Sequence, residues 1–89
     1  MTNIDQIHIH LSSAQLGQIL REVLAKRSPH FLRILVSDRE AVVSIAQLGV
    51  IQDVIGDELC ETGIQPNGEP SVRGLLLEQL IDTFSPYGH

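Results

Sequence analysis

The sequence is poor in basic and in aromatic residues. Six Lys and Arg stand against eleven Asp and Glu, which gives a formal net charge of -5 over 89 residues. Aromatic side chains amount to 3% of the chain. Binding to nucleic-acid phosphates needs clustered Lys and Arg, and binding to single strands also uses aromatic stacking surfaces. We therefore expect no nucleic acid among the partners. The lack of basic segments also disfavours adsorption to an anionic membrane.

Cysteine and long apolar runs are scarce as well. Cys60 is the only cysteine, so the chain can form neither an intrachain disulfide nor a cysteine-based zinc cluster. No run of bulky aliphatic residues is longer than the three of Leu75–Leu77, whereas a membrane helix needs ~20 apolar residues. The first residues lack the basic and apolar regions of a signal peptide. These features predict a soluble, cytoplasmic protein.

The composition fits one globular domain over residues 1–89, with 43% hydrophobic and 19% charged side chains. Apolar residues that recur every three or four positions predict three helices. Hydroxyl caps and turn residues mark their ends. The predicted helices run from a cap at Ser12 or Ser13 to about Arg27, from about Leu48 to Thr62, and from about Ser71 to Phe84.

The segment between the first two of these helices has two interpretations. Ser37-Asp-Arg-Glu40 has the form of a capping box, which predicts a helix over 38–48. The β-branched and aliphatic residues on either side of Asp38-Arg39 favour a hairpin instead. Asp-Arg is a poor tight hairpin turn, because such turns need positive φ at their central residues. We therefore favour the helix.

The resulting fold prediction is a mainly α domain. We expect a compact bundle of four or five short helices, with room for one short amino-terminal strand. The alternative is an α+β fold, in which a small sheet forms from residues 5–11, 31–36 and 41–46.

An acidic ridge is the most informative feature of the second predicted helix. Asp53, Asp57 and Glu61 stand at i, i+4 and i+8, and Glu58 lies one face over. Like charges at this spacing destabilise an isolated helix, and acids near its carboxyl end oppose the helix dipole. No basic residue of the same helix offsets either effect. The ridge therefore needs partners outside the helix.

The function that we expect from the ridge is a protein contact. A non-catalytic acidic module, such as an inhibitor, an immunity-type protein or an adaptor, would contact a basic surface of another protein. The predicted partner-binding residues are Asp53, Asp57, Glu58, Glu61, Val50 and Val54. The ordinary explanation is a solvated face whose acids pair with Arg21 or Arg39. The alternative function is a homo-oligomeric structural or regulatory subunit, a homodimer for example, with its interface on the last helix.

We expect no enzyme, no metal and no cofactor. His8-x-His10 puts two imidazoles on one face of a predicted strand, but two ligands are too few for a structural zinc site. We interpret both as exposed strand residues. Cys60 lies between acidic neighbours, which do not suit a nucleophilic thiol. The common phosphate-binding and hydrolase motifs are missing from the sequence.

Overall fold

The computed structural model describes residues 6–85 and has an α+β fold. Its elements are β1 Gln6–His10, α1 Ala14–Arg27, a 3₁₀ helix Pro29–Ile34, β2 Leu35–Ser37, β3 Glu40–Ser44, α2 Ile45–Thr62 and α3 Val72–Thr83. The strands form an antiparallel sheet in the order β1-β3-β2. The prediction of a mainly helical bundle is therefore wrong. The alternative prediction, an α+β fold, has the right class. Most of its predicted strand over 31–36 is 3₁₀ helix instead. Asp5, the first residue of its predicted strand over 5–11, lies outside the described residues.

Tertiary contacts hold the β2–β3 hairpin in place. Among residues 6–85 no residue except Gly68 has positive φ, so the Asp38-Arg39 turn is not one of the tight hairpin types. The backbone N–H of Leu11 donates to the Arg39 carbonyl oxygen at 2.8 Å. Arg21 donates to the Asp38 carboxylate at 3.0 Å. The predicted helix over 38–48 is wrong because these contacts stabilise a turn that the local sequence disfavours.

A capping box does open α2, but it lies seven residues later than predicted. The Ser44 hydroxyl accepts from the Gln47 backbone N–H at 3.2 Å, and the Gln47 side chain accepts from the Ser44 N–H at 2.7 Å. The helix therefore begins at Ile45 rather than near Leu48. The other two predicted helices are confirmed, with caps at Ser13 for α1 and Ser71 for α3.

The core lies between the inner face of the sheet and the three α-helices. Side chains alternate along β1, so that Ile9 is buried while His8 and His10 are exposed. The buried hydrophobic residues are Ile9, Leu11, Leu16, Ile19, Leu20, Val23, Leu24, Ile34, Ala41, Val43, Leu48, Ile51, Ile55, Leu77, Leu80 and Phe84. The ends of α2 and α3 meet where Gly63 contacts Gly74, a place with no room for a side chain. α2 therefore packs against both α1 and α3, which also contact each other.

Candidate functional site

The structure separates the four acids of the predicted ridge into two pairs. Asp53 and Asp57 are exposed on α2. The Glu58 side chain is only 2% exposed, and Glu61, although exposed, is ion-paired to α1. The two pairs therefore have different roles, although all four residues lie within three turns of one helix.

Glu58 joins the three α-helices. Its Oε1 accepts hydrogen bonds from Lys26 Nζ at 3.0 Å and from Arg27 Nε at 2.8 Å, both at the end of α1. Its Oε2 accepts from the Thr62 hydroxyl at 2.8 Å and from Arg73 Nη2 of α3 at 3.3 Å. Both carboxylate oxygens are therefore satisfied, as a charge buried this deeply requires.

Neighbouring charges extend this contact into an interhelical ion-pair cluster, which consists of Glu22, Lys26, Arg27, Glu58, Glu61 and Arg73. Glu61 accepts from Lys26 at 3.1 Å and from Arg27 at 2.8 Å. Arg73 also donates to Glu22 at 3.2 Å. Three cations and three carboxylates balance within the cluster. Arg21 and Arg39, the partners considered from the sequence, are not part of it.

Contacts within the cluster shift the pKa values of Lys26, Arg27, Glu58 and Glu61. Burial alone raises the pKa of the Glu58 carboxyl, but hydrogen bonds from Arg27, Thr62, Lys26 and Arg73 outweigh burial and lower that pKa from 4.5 to about 2. Hydrogen bonds from Lys26 and Arg27 also lower the pKa of Glu61. The same contacts raise the pKa values of Lys26 and Arg27.

The cluster should make the fold sensitive to acid. A depressed carboxyl pKa stabilises the folded state fully above the unfolded value of 4.5, and this stabilisation is lost as the pH falls toward about 2. We expect Glu58 to account for about 2 kcal/mol of that loss, after a discount for the solvent that reaches Lys26. Urea unfolding at a series of pH values between 7 and 2 measures this loss of stability. A Glu58→Gln variant with the same pH dependence as the wild type would contradict this assignment.

The remaining predicted site residues form an exposed strip, the acidic face of α2, which consists of Val50, Asp53, Val54 and Asp57. Val50 is 46% exposed and Val54 is half-buried against the core. Val50, Val54 and Asp57 stand at i, i+4 and i+7, with Asp53 between them. Two carboxylates and an accessible apolar side chain therefore share one side of the helix.

Unpaired charges are distributed unevenly over residues 6–85. Five carboxylates in this range form no ion pair: Asp53, Asp57, Glu69, Glu78 and Asp82. All five belong to α2, α3 or the connection between them. The bases without an ion pair in the same range, Arg33 and Arg39, lie on the 3₁₀ helix and the hairpin turn. The α2–α3 half of the surface therefore carries an uncompensated negative charge.

The apolar arc of α3 is mostly internal. Leu77, Leu80 and Phe84 are fully buried. Val72 and Leu75, one turn apart, are 76% and 50% exposed. An interface on this helix would therefore depend on these two side chains.

The described part of the chain, residues 6–85, contains no pocket, and no three His, Cys, Asp or Glu side chains in it are arranged to hold a metal ion. None of its helices is long and apolar enough to cross a membrane. Cys60 is exposed and unpaired with another cysteine. Comparison with protein-family models, with curated proteins and with solved structures found no match for this chain.

Proposed function

We propose that this chain is a small, non-catalytic protein-interaction module, which binds a basic surface of another protein through the acidic face of α2. One observation carries the proposal: Asp53 and Asp57 are exposed, and no Lys, Arg or His among residues 6–85 forms an ion pair with either of them. Four of the six basic residues are engaged in ion pairs elsewhere, namely Arg21, Lys26, Arg27 and Arg73. A partner's Lys or Arg would supply the missing countercharge.

The two residue types of this face contribute differently to binding. The carboxylates attract and orient a basic partner, an effect that salt weakens. Val50 supplies apolar area that a partner can cover. Glu58 cannot touch the partner because it is buried, and both oxygens of Glu61 are engaged by α1. These two residues support the proposal indirectly, by holding α2 in position.

The proposed role is that of an inhibitor, an immunity-type protein or an adaptor acting in the cytoplasm. Cys60 is a free, exposed thiol, which is a state that a reducing compartment preserves. The partner's chemistry follows from the acidic face of α2: Lys or Arg side chains spaced about one helical turn apart, next to an apolar side chain.

Photo-crosslinking in the native host tests this proposal directly. A photoreactive amino acid at Val50 should capture a basic protein, and the same group at Val36, an exposed valine of β2, should not. Capture should weaken steeply between low and high salt. The double substitution Asp53→Lys/Asp57→Lys should abolish capture without loss of stability, because it relieves like-charge repulsion along α2.

A charge-matched variant is the control for this experiment. Glu69→Lys/Glu78→Lys changes the net charge equally at two exposed carboxylates outside the acidic face of α2. It should retain most of the capture. Equal loss in both double variants would show that only the net charge matters, and undiminished capture by Asp53→Lys/Asp57→Lys would refute the proposal.

A homo-oligomeric subunit is the second candidate, favoured by the exposure of Val72 and Leu75 on α3. Burial of these side chains between two copies would give a self-association that salt does not weaken. Leu75→Glu should then convert the oligomer to a monomer in sedimentation experiments. A protein that is monomeric at every concentration and salt condition would exclude this candidate.

A further inference from the structure

The outer face of the sheet brings Glu40 to the two histidines of β1. In the antiparallel pairing His8 lies opposite Val42 and His10 lies opposite Glu40. Residues directly opposite each other in such a pair share a face. Ile9, Ala41 and Val43 occupy the buried face. His8, His10 and Glu40 therefore share the other face, the histidines on the edge strand β1 and Glu40 on the central strand β3.

Glu40 contacts His8 in a way that favours one tautomer of the imidazole. The Glu40 Oε2 lies 3.3 Å from His8 Nδ1. An ionised carboxylate can only accept hydrogen bonds, so this contact favours the proton on Nδ1. The lone pair of a neutral ring then lies on Nε2. The His8 side chain is 70% exposed, and its Nε2 is thus available to a ligand from solvent.

We propose that His8 and His10 form a binding site for one divalent transition-metal ion, with Glu40 as the positioning residue that orients His8. His8 and His10 are two residues apart on one strand, so their rings can approach a common ion. Imidazole nitrogen suits Cu²⁺, Ni²⁺ and Zn²⁺, and Cu²⁺ binds most tightly to such ligands. Water completes the coordination, so the site is open and exchangeable. A carboxylate behind a ligating histidine is the common second partner in metal sites.

Titration of the untagged protein with Cu²⁺ tests the proposal. Calorimetry should give one ion per chain, and electron paramagnetic resonance should show nitrogen coordination. Glu40→Ala should weaken binding by about tenfold. His8→Gln and His10→Gln should each weaken it by at least that factor. His30→Gln is the matched control, because His30 is an exposed histidine that belongs to the 3₁₀ helix and not to a strand of the sheet.

The role of Glu40 has a readout of its own. Nitrogen-15 spectra of the imidazoles report which ring nitrogen carries the proton, and Glu40→Ala should move the His8 proton from Nδ1 toward Nε2 without added metal. Affinity that is unchanged in His8→Gln or in His10→Gln, or lowered equally by His30→Gln, would overturn the site. An unchanged His8 tautomer in Glu40→Ala would overturn the positioning role.

Discussion

Gly17→Ala should lower the free energy of unfolding by about 3 kcal/mol. This loss is at the upper end of the range for overpacking, because the added methyl group would clash with backbone atoms. Gly17 faces the hairpin turn from α1, and an added Cβ would overlap the Asp38 carbonyl oxygen. The turn would have to move away from α1. That movement would strain the hydrogen bond from Leu11 to Arg39 and the ion pair between Arg21 and Asp38.

Gly56→Ala is the matched control for this prediction. Gly56 also lies inside an α-helix, but a Cβ there would have no atom within 4 Å apart from its chain neighbours and the backbone of its own helix. The substitution should raise the free energy of unfolding by about 0.5–1 kcal/mol through helix propensity alone. Urea unfolding of both variants measures the contrast. Equal effects of the two substitutions would mean that the turn does not pack against α1.

Glu58→Gln should cost about 3 kcal/mol of stability. The amide keeps the size of the side chain but loses its charge, and donors of α1, α2 and α3 then face a neutral, weaker acceptor. Loss of one member of a buried ion pair is strongly destabilising because the opposite charges remain. This is a large share of the ~5–15 kcal/mol that stabilises an ordinary domain. Thermal and urea unfolding measure the loss.

Asp57→Asn is the control for the Glu58 substitution. It makes the same chemical change on the neighbouring residue of α2, where the side chain is exposed. The expected change in stability is within about 0.5 kcal/mol, as for most surface substitutions. A loss as large as that of Glu58→Gln would show that the acids of α2 do not differ in role.

The fold was predictable wherever a helix has one clear apolar stripe and a hydroxyl cap. α1 and α3 meet both conditions, and their predicted bounds agree with the structure to within one or two residues. The hairpin was not predictable from its own residues, because Asp38 and Arg39 are held by Leu11, Gly17 and Arg21 of other segments. Local preference therefore favoured a helix, and tertiary contacts determined the turn.

The position of the four acids on one helix was predictable, but their division into a buried or ion-paired pair and an exposed pair was not. The spacing of the acids identifies α2, and the lack of bases in that helix indicates that partners lie elsewhere. One feature of the sequence does indicate that Glu58 is buried: it stands seven residues after Ile51, on the same buried stripe as Ile55. Leu59, the next residue, is only partly buried. The identity of the partners depends on how α1 and α3 pack against α2, which no spacing along α2 reveals.

The central claim is that Glu58 stabilises the fold, while the acidic face of α2 remains available to a partner. A carboxyl titration by carbon-13 NMR tests this claim most directly. Glu58 should titrate at a pKa of about 2, well below its ordinary 4.5, and its resonance is assigned by its loss in Glu58→Gln. Glu58→Gln should also remove stability, whereas Asp53→Lys/Asp57→Lys should not. A Glu58 carboxyl that titrates near 4.5 would place it in solvent with the rest of the ridge and contradict the account.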